Sequence, residues 1–499
     1  MRPAELFSDG VVLQRRRPIR IWGRASRGDT ITVTLDGVPS ASSLAEHDGA
    51  WTVILPAQEA ATGRRITFSD GSDTITVVDV SIGEVWIAGG QSNMEFTLAF
   101  DAERDVVLGE PGDPQLRFLD VPKLSYDGQE GKHDYAHSDR WRMASGEDLR
   151  YFPSVGLHFG RELRRALQVP VGVVGCTWGG TPAIAWADVD ATVEPGNAWI
   201  EAHRAGLEQI DVVAEADRFR SDAANDLSDP FGNEMMNRIL RTSATFAEMQ
   251  EAVIRIGAGF SAPVGSLHQT RPGGLFGTMV RRIAGFSARG VIWYQGESDV
   301  PHAELHAEML SAVVRSWRDA WSEDLPFLIT QVAPYGSTPY GTGERFPVIR
   351  AQQEWVARSV PSVWMASSSD AGLETDIHPK VKRPIGVRLA LLARGHVYGE
   401  AVLCDAPSFT EARRHAHGVD LRFEHADGLG WDGSELPLRL TPPDGEPLRL
   451  RGIEVLDDAI RLHGDVPHGT RVDFAQTGYY VVGLRNAAGI PALPFATTV

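Results

Sequence analysis

Short apolar runs separated by turn residues open the chain. Val11–Leu13, Ile19–Gly23, Thr30–Leu35, Trp51–Leu55, Ile66–Phe68 and Ile75–Val78 are rich in β-branched residues, and several alternate with period two. Asp9-Gly10, Asp36-Gly37, Asp48-Gly49 and Asp70-Gly71 punctuate them as turns. The pattern predicts a small β-sandwich-like domain over residues 1–80. From 81 to about 400, strand-like and helix-like segments alternate, which predicts an α/β domain with a mostly parallel sheet. Its strands are expected at Val85–Ala88, Leu116–Asp120, Val171–Gly175, Gly290–Tyr294, Pro326–Val332 and Val363–Ala366. Helices are expected over Tyr151–Leu167, His302–Trp321, Val348–Ala357 and Lys382–Leu392; the first carries Val155, Phe159 and Leu163 along one face. Residues about 187–260 are polar and weakly periodic, and are expected to form a helical insertion. Residues 401–499 return to β, with runs at Leu421–Phe423, Leu436–Leu440, Gly452–Val455, Ala459–Leu462 and Tyr479–Val482. They predict a second β-sandwich-like domain.

With 499 residues, two or three domains are expected. The formal charge of −18 argues against general nucleic-acid binding and against attraction to anionic membranes. Two cysteines, Cys176 and Cys404, leave no room for a disulfide framework or a cysteine-rich metal site. No apolar leader and no membrane-length apolar run is visible, so a cytoplasmic location is expected. Nothing in the pattern fixes an oligomeric state.

Chemistry gathers where the predicted strands end. In α/β sheets, ligands bind at the carboxyl edge of parallel strands. Val85–Ala88 runs into Gly89-Gly90-Gln91-Ser92-Asn93-Met94, where a helix could begin. Ser92 there is either a nucleophile or only a helix cap. Val171–Gly175 runs into Trp178-Gly179-Gly180, and Gly290–Tyr294 into Gln295-Gly296-Glu297-Ser298-Asp299. A fourth segment carries Asp376 and His378, with Pro379 discouraging helix there. These residue types suit ester hydrolysis. A serine needs a histidine to take its proton, and the histidine needs a carboxylate to orient it. The oxyanion needs donors. Ser92, His378, and Asp376 or Glu297 supply the first three roles. The Ser92 N–H, a Gly179 or Gly180 N–H and the Gln295 amide supply the last. His302 and His306 are four apart, like metal ligands on a helix, but lack an evident third ligand. No metal or cofactor is therefore expected to serve the reaction.

At these loops the sequence resembles the SGNH/GDSL hydrolases, and more closely the sialate O-acetylesterase family and its carbohydrate acetylesterase relatives. The matching stretches are Gly83-Glu84-Val85-Trp86, Gly90–Met94, Trp178–Pro182 with Trp186, Gly274-Leu275-Phe276, Trp293–Asp299 and Asp376–Pro379. Leu6–Gln14 and Leu484–Phe495 extend the likeness over nearly the whole chain. The resemblance implies a flavodoxin-like SGNH core of α/β/α layers. It implies Ser92 as nucleophile, His378 as base, and an oxyanion hole from Ser92, Gly180 and Gln295. Many members of the wider superfamily place the acid three residues before the histidine. Here Thr375 stands at that position and the acid is Asp376, so Glu297 remains a rival to orient His378. The expected substrate is a small-molecule or oligosaccharide acetyl ester, of sialate or acetylated xylo-oligosaccharide. Trp178 and Trp186 are expected to stack on the sugar, and Arg350 or Arg271 to meet a sialate carboxylate. A non-catalytic carbohydrate-binding protein on the same scaffold is the alternative.

Overall fold

The computed structural model describes residues 1–129, 140–190, 196–221, 264–338, 341–445, 448 and 450–499. At its centre runs a path of strands: β1 (Thr74–Gly90), β2 (Asp113–Asp120), β3 (Arg142–Ala144), β4 (Val171–Thr177), β5 (Gly290–Tyr294), β6 (Phe327–Thr330) and β7 (Val363–Ala366). Their order is β3-β2-β4-β1-β5-β6-β7. All neighbours are parallel except the edge pair β3 and β2. Counted alone, the parallel strands run 2-3-1-4-5-6, not in the flavodoxin order 2-1-3-4-5. The expected flavodoxin-like order is corrected in this respect. β4 pairs with both β1 and β2, so it displaces β2 outward and becomes the neighbour of β1.

Five helices matter for the site: α1 (Ser92–Glu95), α2 (Ser154–Leu167), α3 (His306–Trp321), α4 (Phe346–Ser359) and α5 (Arg383–Leu392). Successive strand residues point to opposite faces, and each face has its own core. Val85, Ile87, Val291 and Trp293 pack with Met309, Val313 and Trp317 of α3. Trp86, Ala88, Ile292 and Tyr294 pack with Val155, Phe159 and Leu163 of α2 and with Ile385 and Leu389 of α5. That division explains why the strands are apolar without alternation: both faces are covered.

The N-terminal β region is continuous with this sheet. The first part of β1 pairs antiparallel with Ala61–Ser69, and Val12–Gln14 adds in parallel beside Ser81–Gly83. The expected boundary at residue 80 therefore falls inside one 17-residue strand. The C-terminal β region has a separate core built on Val419, Leu421, Ile460, Val472 and Phe474. Tyr479–Val482, expected as a strand, is not one. The carbonyls just before it, Thr477 and Gly478, are taken by Arg350 instead of by a ladder. Within the expected insertion, helices Asn197–Leu207 and Val212–Ser221 are seen; residues 191–195 and 222–263 lie outside the described residues. Among the described residues no helix is long and apolar enough to cross a membrane.

Candidate active site

Three neighbouring strands end level with one another. Thr177 of β4 and Tyr294 of β5 both pair with Gly90, the last residue of β1. The loops carrying Trp178, Ser92 and Gln295 thus leave the sheet side by side, at the crevice where the chain turns from one half of the sheet to the other. Gly90 is required at this point. Its φ is +129°, and a Cβ there would lie 2.2 Å from the Tyr294 carbonyl oxygen. Gln91 then ties two of the loops. Its N–H donates to Tyr294 O at 3.0 Å, and its Oε1 accepts from the Gly296 and Ser298 N–H groups at 3.3 Å each.

Ser92 is the first residue of α1; the cap position before it belongs to Gln91, whose side chain makes no capping bond. Its Oγ lies 2.8 Å from His378 Nε2. His378 sits on the loop before α5, with 19% of its side chain exposed. Burial, then the Lys382 and Lys380 ammonium groups, push its pKa down to about 3. The ring is therefore neutral at ordinary pH, as a general base must be.

The two candidate acids occupy different ground. Asp376 Oδ1 accepts the His378 backbone N–H at 2.8 Å and lies 3.9 Å from Nδ1. Its Oδ2 pairs with Lys380 Nζ at 3.1 Å. Glu297 Oε1 instead accepts from Asn93 Nδ2 at 2.6 Å. Asn93 Nδ2 also reaches the carbonyl of Ile377, beside His378, at 3.1 Å. Burial raises the Glu297 pKa above its ordinary value, against the pull of Asn93 and Lys382.

Residues with no part in the chemistry assigned from the sequence, Lys382 and Asn93 first among them, complete the site. Lys382 is 1% exposed, with Nζ 2.5 Å from Asn93 Oδ1 and 4.6 Å from the centre of the Phe96 ring. An ammonium only donates, so it fixes the Asn93 oxygen toward itself and the NH₂ toward Glu297 and Ile377. Burial pushes the Lys382 pKa down to about 7. Asp299 accepts from Ala183 N at 2.9 Å and pairs with His306 Nδ1 at 2.7 Å, locking the second and third loops together. His306 is thus structural, and His302 lies tilted against Trp199 with ring centroids 4.3 Å apart. The available signal was proximity in sequence: Asn93 follows the serine and Lys382 follows the histidine by four.

Donors for an oxyanion are present. The Ser92 N–H lies at the first helical position, where no intrahelical acceptor exists. The Gly180 N–H has no acceptor among the described residues. Gln295 is buried, and its Nε2 makes only a long 3.4 Å contact to Thr181 O. The Gly179 N–H is not available: Glu95 Oε2 accepts it at 2.6 Å, and Glu95 is itself paired with Lys123. Gly179 lies close against Ser92, for a Cβ there would lie 3.2 Å from Ser92 Cβ.

The expected sugar-binding residues fall elsewhere. Trp186 is fully buried; its Nε1 donates to Thr181 Oγ1 and its ring packs edge-on against Trp293. Trp178 is likewise buried in the main core. Neither indole presents a face for stacking. Arg350 is 1% exposed and donates to the carbonyls of Val332, Ala333, Thr477 and Gly478. It joins α4 to the C-terminal region and is not free to meet a carboxylate. Arg271 is half-buried and donates to Ser125 O at 2.6 Å.

Residues 193–391 match the family model for carbohydrate esterases described as sialic acid-specific acetylesterases. That span holds Gln295, Glu297, Asp376 and His378, while Ser92 precedes it. The human sialate O-acetylesterase is 25% identical over 432 residues, 80% of this chain and 71% of that protein. The mouse sialate O-acetylesterase is 27% identical over 420 residues, 76% of this chain and 70% of its own. A solved carbohydrate acetylesterase from Xanthomonas citri is 27% identical, with a TM-score of 0.75 and 100% of both chains covered. The resemblance seen in the loops is borne out by these likenesses.

Proposed function

We propose that this chain is a carbohydrate O-acetylesterase that works through a serine nucleophile and an acetyl-enzyme. The observation that carries this reading is the 2.8 Å contact between Ser92 Oγ and His378 Nε2 at the end of the central strand. With the proton on Nδ1, the neutral ring accepts the serine proton as Oγ attacks the acetyl carbonyl. The developing oxyanion is met by the Ser92 and Gly180 N–H groups and the Gln295 amide. The imidazolium returns its proton to the departing sugar oxygen. Water then attacks the acetyl-enzyme, with His378 again as base, and acetate leaves. Asp376 is the preferred orienting acid, because it binds the His378 backbone and lies nearer the ring.

Gly179 against Ser92 favours a small acyl group beside the nucleophile. The burial of Arg350 weighs against a carboxylate contact at that residue, which leaves the half-buried Arg271 as the candidate if the substrate is a sialate. The test is acetate release by wild type and Ser92→Ala from a generic acetyl ester, acetylated xylo-oligosaccharides and O-acetyl sialate. Wild-type release that falls by about 10³-fold or more in Ser92→Ala is expected. Release unchanged in Ser92→Ala would sink the serine mechanism. No release from any ester by wild type would leave the carbohydrate-binding alternative as the better account.

A further inference from the structure

Away from Ser92, three side chains of different chemistry converge where the α/β region hands over to the C-terminal β region. His396 lies in the helical turn Ala393–Val397 that extends α5. Cys404 and Asp405 lie on the segment leading to the strand Ser408–His415. His396 Nε2 is 2.9 Å from each Asp405 carboxylate oxygen and 3.5 Å from Cys404 Sγ. Cys404 Sγ is 3.4 Å from Asp405 Oδ2. A plain ion pair would account for His396 and Asp405, but not for a thiol aimed at the same nitrogen and the same oxygen.

We infer that His396, Cys404 and Asp405 form a binding site for a divalent transition-metal ion of the zinc class. Zinc bonds to sulfur, imidazole nitrogen and carboxylate oxygen are about 2.0–2.3 Å long, so tetrahedral ligands stand roughly 3.2–3.6 Å apart. The two separations to Cys404 Sγ, 3.5 and 3.4 Å, already have that spacing, and the His396–Asp405 pair at 2.9 Å has only to open by a few tenths of an ångström for an ion to enter. Soft sulfur with imidazole nitrogen selects zinc-like ions over magnesium or calcium.

The three ligands are also held. The His396 ring stacks on Trp364, with centroids 4.6 Å apart and planes 10° from parallel. Asp405 is fixed through its backbone carbonyl, which accepts from Asn486 Nδ2 at 2.9 Å. Cys404 packs into the space left by Gly395, where a Cβ would lie 2.5 Å from Sγ. The His396 and Asp405 side chains keep 26% and 22% of their surface exposed, which leaves an entry path and a fourth position for water.

The step balances simply. The hydrated divalent ion gives up waters, the Cys404 thiol loses its proton to solvent, and a metal–thiolate bond forms beside the imidazole and carboxylate bonds. Burial and Asp405 keep that thiol protonated, with a pKa pushed up to about 12, so metal binding must release a proton. The bound ion would clamp the end of the last helix to the entry of the C-terminal region.

The test uses the full chain, stripped with a chelator and titrated with Co²⁺ as a spectroscopic probe. One equivalent of Co²⁺ is expected to give a thiolate-to-metal charge-transfer band that Zn²⁺ removes by competition. The band should vanish in Cys404→Ser and persist in Cys176→Ala. In His396→Gln, affinity should fall by more than about 100-fold, since even outer-shell partners are worth about 10–100-fold. His396→Gln alters an accessible side chain and keeps the question open to test if Cys404→Ser does not fold. No thiolate band in wild type, or an equal band in Cys404→Ser, overturns the site.

Discussion

Asp376 and Glu297 both connect to the loop that carries His378, yet they reach it in different ways. Asp376 holds the backbone of His378 directly and shares its outer oxygen with Lys380. Glu297 is one step removed: it holds Asn93, and Asn93 holds the carbonyl next to His378. Their electrostatics differ too. Glu297 is driven toward its neutral form by burial, while its hydrogen bonds, Asn93's among them, and then the Lys382 charge pull it back. The comparison teaches that distance along the chain misleads about distance in function. Glu297 reaches the His378 loop only through Asn93, whereas Asp376, two residues before His378, bonds its backbone directly.

The largest effect that separates the two comes from neutralising each acid. Asp376→Asn should lower kcat/KM for acetate release by about 10²–10⁴-fold, the upper end being what loss of a buried orienting carboxylate costs a serine hydrolase. Glu297→Gln keeps the shape and the acceptor oxygen facing Asn93, and should cost about tenfold or less. The reverse ranking would make Glu297 the orienting acid and break the comparison.

Lys382 sharpens it next. Lys382→Met removes the ammonium that fixes the Asn93 amide, leaving Glu297 and Ile377 with a loosened donor. An effect of about 10–100-fold on kcat, with KM little changed, is expected for a group that acts only through positioning. A purely structural role predicts no change in the pH profile. The charge argument does predict one. Lys382 is, after burial, the foremost cause of the lowered His378 pKa. Removing it lets that pKa rise, so the acid limb of activity should move to higher pH. An unmoved limb would reduce Lys382 to a packing element.

Much of this arrangement was legible in the residues. β5 and β7 fall where their apolar runs predict, because buried parallel strands need unbroken apolar sequence. Ser92, Gln295 and Glu297 were expected on loops that follow such runs, and Asp376 and His378 on a separate segment; the structure brings Ser92 and His378 within 2.8 Å. What escaped has physical reasons. The strand Ala41–Leu44 buries no residue fully and turns its one large apolar side chain, Leu44, to solvent, so it carried no inward apolar pattern. Trp186 and Arg350 look like ligand-binding residues because indoles and guanidiniums recognise sugars and carboxylates, but the same properties suit a buried ring with a bonded N–H and a fork that gathers carbonyls. Lys382 offered only its nearness to His378 in sequence, since burial of a lysine is decided by tertiary partners. Only the fold brings Asn93 to it across 289 positions.

The smallest predicted effect decides whether the acid limb can be read at all. His378 is not the only imidazole kept neutral by burial. His158 is 2% exposed, its Nε2 has no partner among the described residues, and burial pushes its pKa down to about 3. His268 is pushed down to about 4, again by burial first. In the unfolded chain each takes a proton near pH 6.5. Between that value and the folded pKa the unfolded state binds more protons, so stability is complete above about pH 6.5 and falls as pH drops below it. One such histidine contributes a slope of up to about 1.4 kcal/mol per pH unit in that window. Acid unfolding would then overlie the titration of His378 and imitate a catalytic limb. His158→Leu removes one buried imidazole without touching Ser92 or His378. Denaturant midpoints measured from pH 7 to pH 4 should decline less steeply in His158→Leu than in wild type, while the pH profile of kcat in the folded enzyme stays the same. Parallel declines would show that His158 gains its proton without leaving the fold, and the acid limb measured on wild type would then report His378 unmasked by that group.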